Sequence, residues 1–309
     1  MNESNTNDPN GTSNSVVDRD LLKAVVEEVV AEVVQGQVAQ TVKHTVEDSM
    51  SLFLDQISAQ KVERIKTPGL KDSQMCGWFL NETNELFKGF SLGQDDTVVD
   101  IGCGEGAHLN FCAKRGSTLI AIDQDENVLN EAVEKLKDSK AKAVHHYVSD
   151  CNPIPLEDGS VNRVICNEVL EHVDDPEQLI REVVRVGSDD AKFLIGVPDH
   201  RSEDVFKKVA WPGYFEKPNH LRIFQRQEFD DLVTDAGLVI EYKKYYGFYW
   251  SMWWFLFWGV DSELGEEVPL LNSWANTWDL LLQSAKGEKI KHALDELVPK
   301  SQIVVARKA

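Results

Sequence analysis

The sequence predicts an α/β fold: a doubly wound, seven-stranded, mostly parallel sheet, with a helical extension before it and a helical, aromatic insertion before the last strand. Three observations predict it. Short apolar runs alternate with helix-period segments from about residue 97 to residue 245, the pattern of a parallel sheet covered on both faces. The first run, Val98-Val99-Asp100-Ile101, feeds a glycine-rich turn, Gly102-Cys103-Gly104-Glu105-Gly106, that opens a helix. Hydrophobic residues make up 42% of the chain, ample for a core around such a sheet.

In chain order, residues 1–17 read as a disordered tail, because Asn, Ser and Thr dominate. Residues 18–66 read as a helical extension, with Leu22, Val25, Val26, Val29, Val30, Val33 and Val34 recurring at spacings of three and four. β-Branched residues are mediocre helix formers, so this helix is expected to need a partner surface. Residues 67–309 form the main domain, and Ser73–Phe90 is expected to be helical. Strands follow at Thr97–Ile101, Thr118–Ile122, Ala143–Val148, Val161–Cys166, Lys192–Val197, Val239–Tyr245 and Gln302–Lys308. Helices are expected at Ala107–Arg115, Glu126–Lys137, Pro176–Val186 and Arg226–Ala236, the last closed by the C-cap signal Gly237. Residues 246–300 form an inserted subdomain that starts in an aromatic run, Tyr245 to Trp258, and continues in helices near Trp274–Ser284 and Glu288–Leu297.

Composition excludes several functions. With 52 acids against 32 bases the net charge is −20, which argues against a general phosphate-binding surface and hence against nucleic acid. The five cysteines show no C-x-x-C spacing, so neither a disulfide scaffold nor a zinc site is expected, and reduced thiols in the cytoplasm are the simplest reading. No apolar run reaches the length of a membrane span, and the N-terminus lacks a signal-peptide core.

The chemistry gathers at the strand ends. Glycines at 102, 104 and 106 remove side chains that would hold a ligand off the backbone, and a helix N-terminus offers free N–H groups. Asp123 ends the second strand, where an acid can accept both hydroxyls of an adenosine ribose. Its plainer role is an N-cap. Asp150 and Cys151 end the third strand, where an acid can meet an adenine amine or simply sit in a solvated turn. These features suit a nicotinamide cofactor as well as S-adenosylmethionine.

Val98–Gly106, Ile120–Asp123, Ser149–Cys151 and Cys166–Pro176, taken in order, closely resemble the class I S-adenosylmethionine-dependent methyltransferases, in their small-molecule branch. The run Glu168-Val169-Leu170-Glu171-His172-Val173 followed by Asp175-Pro176 carries much of that resemblance. It implies a Rossmann-like methyltransferase fold and S-adenosylmethionine as cofactor. It implies that Asp100, Gly102, Cys103, Gly104 and Gly106 hold the methionine part, Asp123 and Gln124 the ribose, and Asp150 and Cys151 the adenine, with Asn167 and Glu168 alongside. Some ubiquinone-biosynthesis O-methyltransferases resemble this chain in using a Glu-x-x-Glu-His set for a divalent cation. The same letters occur in relatives with no known metal, and no metal ligand is assigned here. His220, in the stretch after the fifth strand, is the expected base for the acceptor proton; His200, just after Val197-Pro198-Asp199, is a second candidate base, and His172 a further candidate catalytic group. Each is equally readable as a hydrogen-bonded structural histidine.

The expected reaction is methyl transfer to a small-molecule hydroxyl on a sugar, a quinone-like ring or a natural product. The acceptor is expected to be hydrophobic if the aromatic run lines its pocket; otherwise the run packs the insertion, or forms a homodimer contact as the N-terminal helix also could. A binding scaffold without turnover is the alternative, and an NAD-dependent oxidoreductase a weaker one, since Asp100 before the glycines fits it poorly.

Overall fold

The protein is described by a computed structural model over residues 68–260 and 267–309. The expected tail and helical extension at 1–17 and 18–66 lie outside the described residues. A helix at residues 68–76, α1, leads into three short strands, β1 Trp78–Leu80, β2 Glu85–Phe87 and β3 Phe90–Ser91. Next come β4 Thr97–Ile101, α2 Ala107–Ala113, β5 Thr118–Asp123, α3 Glu126–Leu136, β6 Ala143–Val148, β7 Val161–Asn167, α4 Pro176–Val186 and β8 Gly187–Pro198. The chain continues through α5 His200–Phe206, α6 Arg226–Asp235, β9 Leu238–Tyr246, α7 Phe248–Trp258, α8 Pro269–Gln283, α9 Gly287–Leu297 and β10 Ser301–Lys308.

The main sheet has seven strands in the order β6-β5-β4-β7-β8-β10-β9. The pairs of β4 with β5 and β7, β5 with β6, and β7 with β8 are parallel. β10 runs antiparallel between β8 and β9, with Ser301 opposite both Pro198 and Tyr246. The start of β10 therefore lies at the same sheet edge as the ends of the parallel strands. Successive residues point to opposite faces. Val99 and Ile101 pack under Leu179, Ile180 and Val183 of α4, whereas Val98 joins Leu109 and Leu129 on the other face. Both faces are covered, which is why Val164, Ile165 and Cys166 are apolar without alternation.

One expected helix is mostly absent. Ser73–Phe90 is helical only to residue 76, after which Gly77 takes φ 111° and a three-stranded antiparallel sheet begins. Trp78 pairs with Phe87, and Asn84 and Gly89 make the left-handed turns between strands. Trp78, Leu86, Phe87 and Phe90 are buried on the face of the main sheet. A ribbon buries all four rings and branched chains where a helix stripe would bury fewer, and tertiary packing overrides the local pattern. A further helix, not expected from the sequence, forms at His200–Phe206, where Asp199 Oδ1 caps it by accepting the Arg201 N–H at 2.9 Å.

The aromatic run divides at Gly247, whose φ is 90°. Tyr245 and Tyr246 finish β9, and the remainder forms α7, which packs on α8 through the stacked rings of Tyr249 and Trp274, centroids 5.9 Å apart. Beneath it lies a buried ionic cluster. Lys291 Nζ, with no exposed surface, donates to Asp295 Oδ2 at 2.6 Å and to the Cys76 sulfur at 2.9 Å, and stands 3.1 Å from Asp72 Oδ1. Asp295 Oδ1 accepts the N–H groups of Gly247 and Phe248, both at 3.0 Å, so the cluster fixes the start of α7. Among the described residues, no helix is long and apolar enough to cross a membrane.

Candidate active site

The glycine turn is pinned to the end of β5. Cys103 N–H donates to Ile122 O at 3.0 Å, and Gly104 N–H to Asp123 Oδ2 at 2.9 Å. The three glycines do different work. A Cβ on Gly102 would lie 2.6 Å from Val169 Cγ2, and one on Gly106 would lie 3.0 Å from Ala132 Cβ. Those two allow close packing of the turn on its own domain. Only at Gly104, φ 49°, would a Cβ meet nothing within 4 Å, so only there does the backbone border open space.

Asp100 is 1% exposed, and its Oδ2 has no hydrogen-bond partner, although His108 Nδ1 stands 3.4 Å away. A buried carboxylate oxygen without a partner is costly unless a donor or cation comes to it. His108 itself stacks on Trp78, centroids 5.1 Å apart. Asp123 is half-buried; its Oδ1 accepts the Asp125 N–H at 3.0 Å. Each of its oxygens keeps a free lone pair. Gln124 beside it is exposed.

Asp150 is exposed and closes a local turn, its Oδ1 accepting the Asn152 N–H at 3.1 Å. Cys151 has φ 62°, and Ser149 Oγ already takes its N–H at 2.9 Å. Burial, then the carboxylate of Asp100 or Asp150, pushes the Cys103 and Cys151 thiols up to about 12. Both stay protonated and are poor nucleophiles.

Asn167 and Glu168 end β7. Glu168 sits in the left-handed region at φ 58°, a strained position for a side chain of its size. Its Oε2 is 3.2 Å from Lys300 Nζ, and its Oε1 is buried without a partner. Burial is the largest influence on the Glu168 carboxyl and raises it, but Lys300, Ser301 and His220 together outweigh burial and hold the group below its usual range. Asn167 and Glu168 line a cavity of about 210 Å³ together with Ser73, Trp78, Phe79, His108, Tyr246, Gly247, Trp250, Lys300 and Ser301. A larger groove of about 550 Å³ between α4 and α6, among Ile180, Leu232 and surface acids, shares no lining residue with it.

Glu168, Glu171 and His172, the letters of the Glu-x-x-Glu-His set, do not gather as one group. Glu168 turns toward Lys300, while Leu170–His172 forms a 3-10 turn that brings Glu171 and His172 to His220. Ligand atoms of Glu171, His172 and His220 lie within 4.8 Å of one another. Glu171 is fully buried and neither of its oxygens has a hydrogen-bond partner. Burial, then the facing Glu168 carboxylate, pushes its carboxyl well above the usual range. His172 Nδ1 lies 3.1 Å from Pro218 O, and His220 Nδ1 lies 2.9 Å from Glu203 Oε2. Burial, then His220, lowers the His172 imidazole. Neither histidine is among the residues lining the 210 Å³ cavity. His200 pairs with Asp204 at 3.6 Å on the outside of α5. Trp78, His108, Glu203, Tyr246 and Lys300 have no sequence signal of their own, because segments far apart in the chain bring them here.

A family model for a methyltransferase domain matches residues 99–195. A ubiquinone biosynthesis O-methyltransferase from Hydrogenovibrio crunogenus is 32% identical over 169 residues, 51% of this chain and 68% of that protein. An uncharacterized 37.1 kDa protein in transposon TN4556 of Streptomyces fradiae is 33% identical over 107 residues, 34% of this chain and 30% of that protein. A probable S-adenosylmethionine-dependent methyltransferase from Mycobacterium tuberculosis is 28% identical over 142 residues, 46% of this chain and 48% of that protein. The chain thus spans less than half the length of two of these three relatives.

Proposed function

Because the chain belongs to the class I S-adenosylmethionine-dependent methyltransferases, we propose that it transfers a methyl group from S-adenosylmethionine to a hydroxyl oxygen of a small molecule, releasing S-adenosylhomocysteine. One observation carries the reading: the buried Oδ2 of Asp100, which no hydrogen bond satisfies, in the same strand-to-helix turn as the open backbone of Gly104. That pair suits an ammonium group and a carboxylate held close together, as on an amino acid. In this reading Asp100, Gly102, Cys103, Gly104 and Gly106 hold the methionine part. Asp123 and Gln124 receive the ribose, Asp150 and Cys151 border the adenine, and Asn167 and Glu168 flank the transfer site. The cofactor supplies a methyl group on positively charged sulfur. The residues supply position, and holding the acceptor in line removes much of the entropic barrier.

The aromatic walls of the cavity support a hydrophobic acceptor, such as a quinone-like ring or a natural product, over a sugar. His220 and His172 remain the groups we assign to the acceptor proton, with Glu203 orienting His220. The Glu171 oxygens, which no hydrogen bond satisfies and one of which lies 3.7 Å from His172 Nε2, favour a second use of the same residues. Glu171, His172 and His220 would hold a divalent cation, each imidazole oriented through its other nitrogen, and the cation would polarise an acceptor oxygen. Five free, buried cysteines support a reducing, cytoplasmic location.

Calorimetry of the purified chain with S-adenosylhomocysteine tests the reading. One-to-one binding is expected. Absence of binding by the folded protein overturns it. Repeating the titration and the acceptor assay with and without a chelator decides between proton transfer and a cation at Glu171.

A further inference from the structure

We propose that Lys300 sets the acceptor class: its ammonium holds the oxyanion of an aromatic hydroxyl, a phenolate, against the ring walls of the cavity beside Glu168. The inference rests on the methyltransferase reading above and narrows it to one substrate chemistry.

Three observations place Lys300 for that task. It directly precedes β10, whose first residue, Ser301, pairs with Pro198 and Tyr246 at the edge where the parallel strands end. Its stem is held in place, since a Cβ on Gly247 would lie 3.1 Å from Lys300 Cβ. Its side chain is 13% exposed, and it is the one lysine or arginine among the residues lining the cavity. An ammonium carries three donors. Glu168 Oε2, at 3.2 Å, is the one acceptor Lys300 Nζ reaches among the described residues. Burial works against the charge, but the carboxylates of Glu168 and Glu203 outweigh it and keep the group cationic.

The rest of the cavity selects a flat, apolar body. Trp78, Phe79, Tyr246 and Trp250 line it. Trp78 and Tyr246 stand 6.1 Å apart by ring centroids at an interplanar angle of 62°. A ring among such neighbours finds both face and edge contacts. Glu168 engages one of the three Lys300 donors, and the donors it leaves, set among aromatic walls, fit an aromatic oxyanion and give an aliphatic alcohol little, because one ammonium cannot ionise so weak an acid. In a site of low dielectric the ammonium stabilises the ionised oxygen far more than it would in water. The acceptor gives up its proton on binding, before transfer, to solvent or to the histidines assigned to it above. Transfer then forms the bond from acceptor oxygen to methyl carbon and breaks the bond from methyl carbon to sulfur. The electron pair of the broken bond stays on sulfur, so charge is balanced without a proton to place. Lys300 is thus a specificity residue that touches the acceptor and not a base.

The test uses the full chain with S-adenosylmethionine and three acceptor sets: phenols of graded acidity, benzoates and aliphatic alcohols. Phenols are expected to be methylated. Lys300→Met is expected to lose roughly 100-fold on weakly acidic phenols, and clearly less on 4-nitrophenol, which is already ionised near neutral pH. Lys300→Arg is expected to keep most of the preference. Because Lys300→Met strands Glu168, a second readout uses the wild-type protein alone. With S-adenosylhomocysteine present, 4-nitrophenol bound below its solution pKa is expected to show the phenolate absorption band. A neutral spectrum overturns the proposal, as does an equal loss on all phenols, a preference for aliphatic alcohols, or transfer to benzoates in place of phenols. Failure of the wild-type protein to bind S-adenosylhomocysteine would instead overturn the methyltransferase reading.

Discussion

The two halves of the sheet edge are built in opposite ways. The half around Asp100, Gly104 and Asp123 comes from one short stretch of chain and is held by backbone N–H groups of that stretch. The half around Trp78, Glu168, Tyr246, Trp250 and Lys300 comes from segments spread across the chain, and it rests on buried charges. Lys291, Asp72 and Asp295 tie α1, α9 and the start of α7 together. A turn pinned to its own strand needs little from the rest of the molecule. A wall of distant segments needs a fastener, and here the fastener is ionic.

Removing the fastener gives the largest expected effect. Lys291→Met leaves two carboxylates buried without their cation, and a loss of about 3–5 kcal/mol in urea unfolding is expected. Material that stays folded is expected to bind S-adenosylhomocysteine nearly as wild type does, because no contact of the glycine turn runs through the cluster. Its methyl transfer is expected to fall, because Gly247 and Trp250 lose their anchor. Unchanged stability, or a loss of cofactor affinity as large as the loss of transfer, breaks the division between the halves.

Cutting the other half gives the next effect. Asp123→Ala removes the acceptor of the Gly104 N–H and a charged partner for two hydroxyls, so affinity for S-adenosylhomocysteine is expected to drop by about 1.5–3 kcal/mol in calorimetry. Its unfolding midpoint is expected to move little, because Asp123 is half-buried at the sheet edge. An affinity equal to wild type removes Asp123 from the cofactor site.

The same division decides what could be read from the sequence. The strand–turn–helix at Val98–Ala107 is legible because φ and packing requirements at Gly102, Gly104 and Gly106 are met by neighbours in sequence. Even there the reasons differ from the expected one, since Val169 and Ala132 explain two of the glycines and ligand access only the third. The succession of strands and the helices at Glu126–Leu136 and Pro176–Val186 follow from periodicity. The wall is not legible. Trp78 reads as helical until its burial against the sheet is known, and Lys300 is one surface-type residue before a strand until β10 is seen to start at the site. The Glu168–His172 run is legible as letters only. The positive φ of Glu168 sends it to Lys300 and leaves Glu171 and His172 to His220.

The smallest effect is a dependence on pH confined to the ionic half. Burial pushes the Asp72 carboxyl up to about 6, against the pull of Lys291. Its folded value therefore lies above its unfolded one, near 3.9. The stability that its protonated form contributes is complete below the unfolded value and is lost as pH rises through about 6. Asp72→Asn carries no titrating proton yet still accepts the Trp278 Nε1–H, which donates to Asp72 Oδ1 at 3.0 Å. Relative to wild type, the variant is expected to gain on the order of 1–2 kcal/mol between about pH 4 and about pH 7, measured by urea unfolding at each pH. A flat difference would mean that Lys291 keeps Asp72 ionised throughout. The fastener would then be a plain ion pair, and acid would weaken the wall where the present assignment has it strengthen.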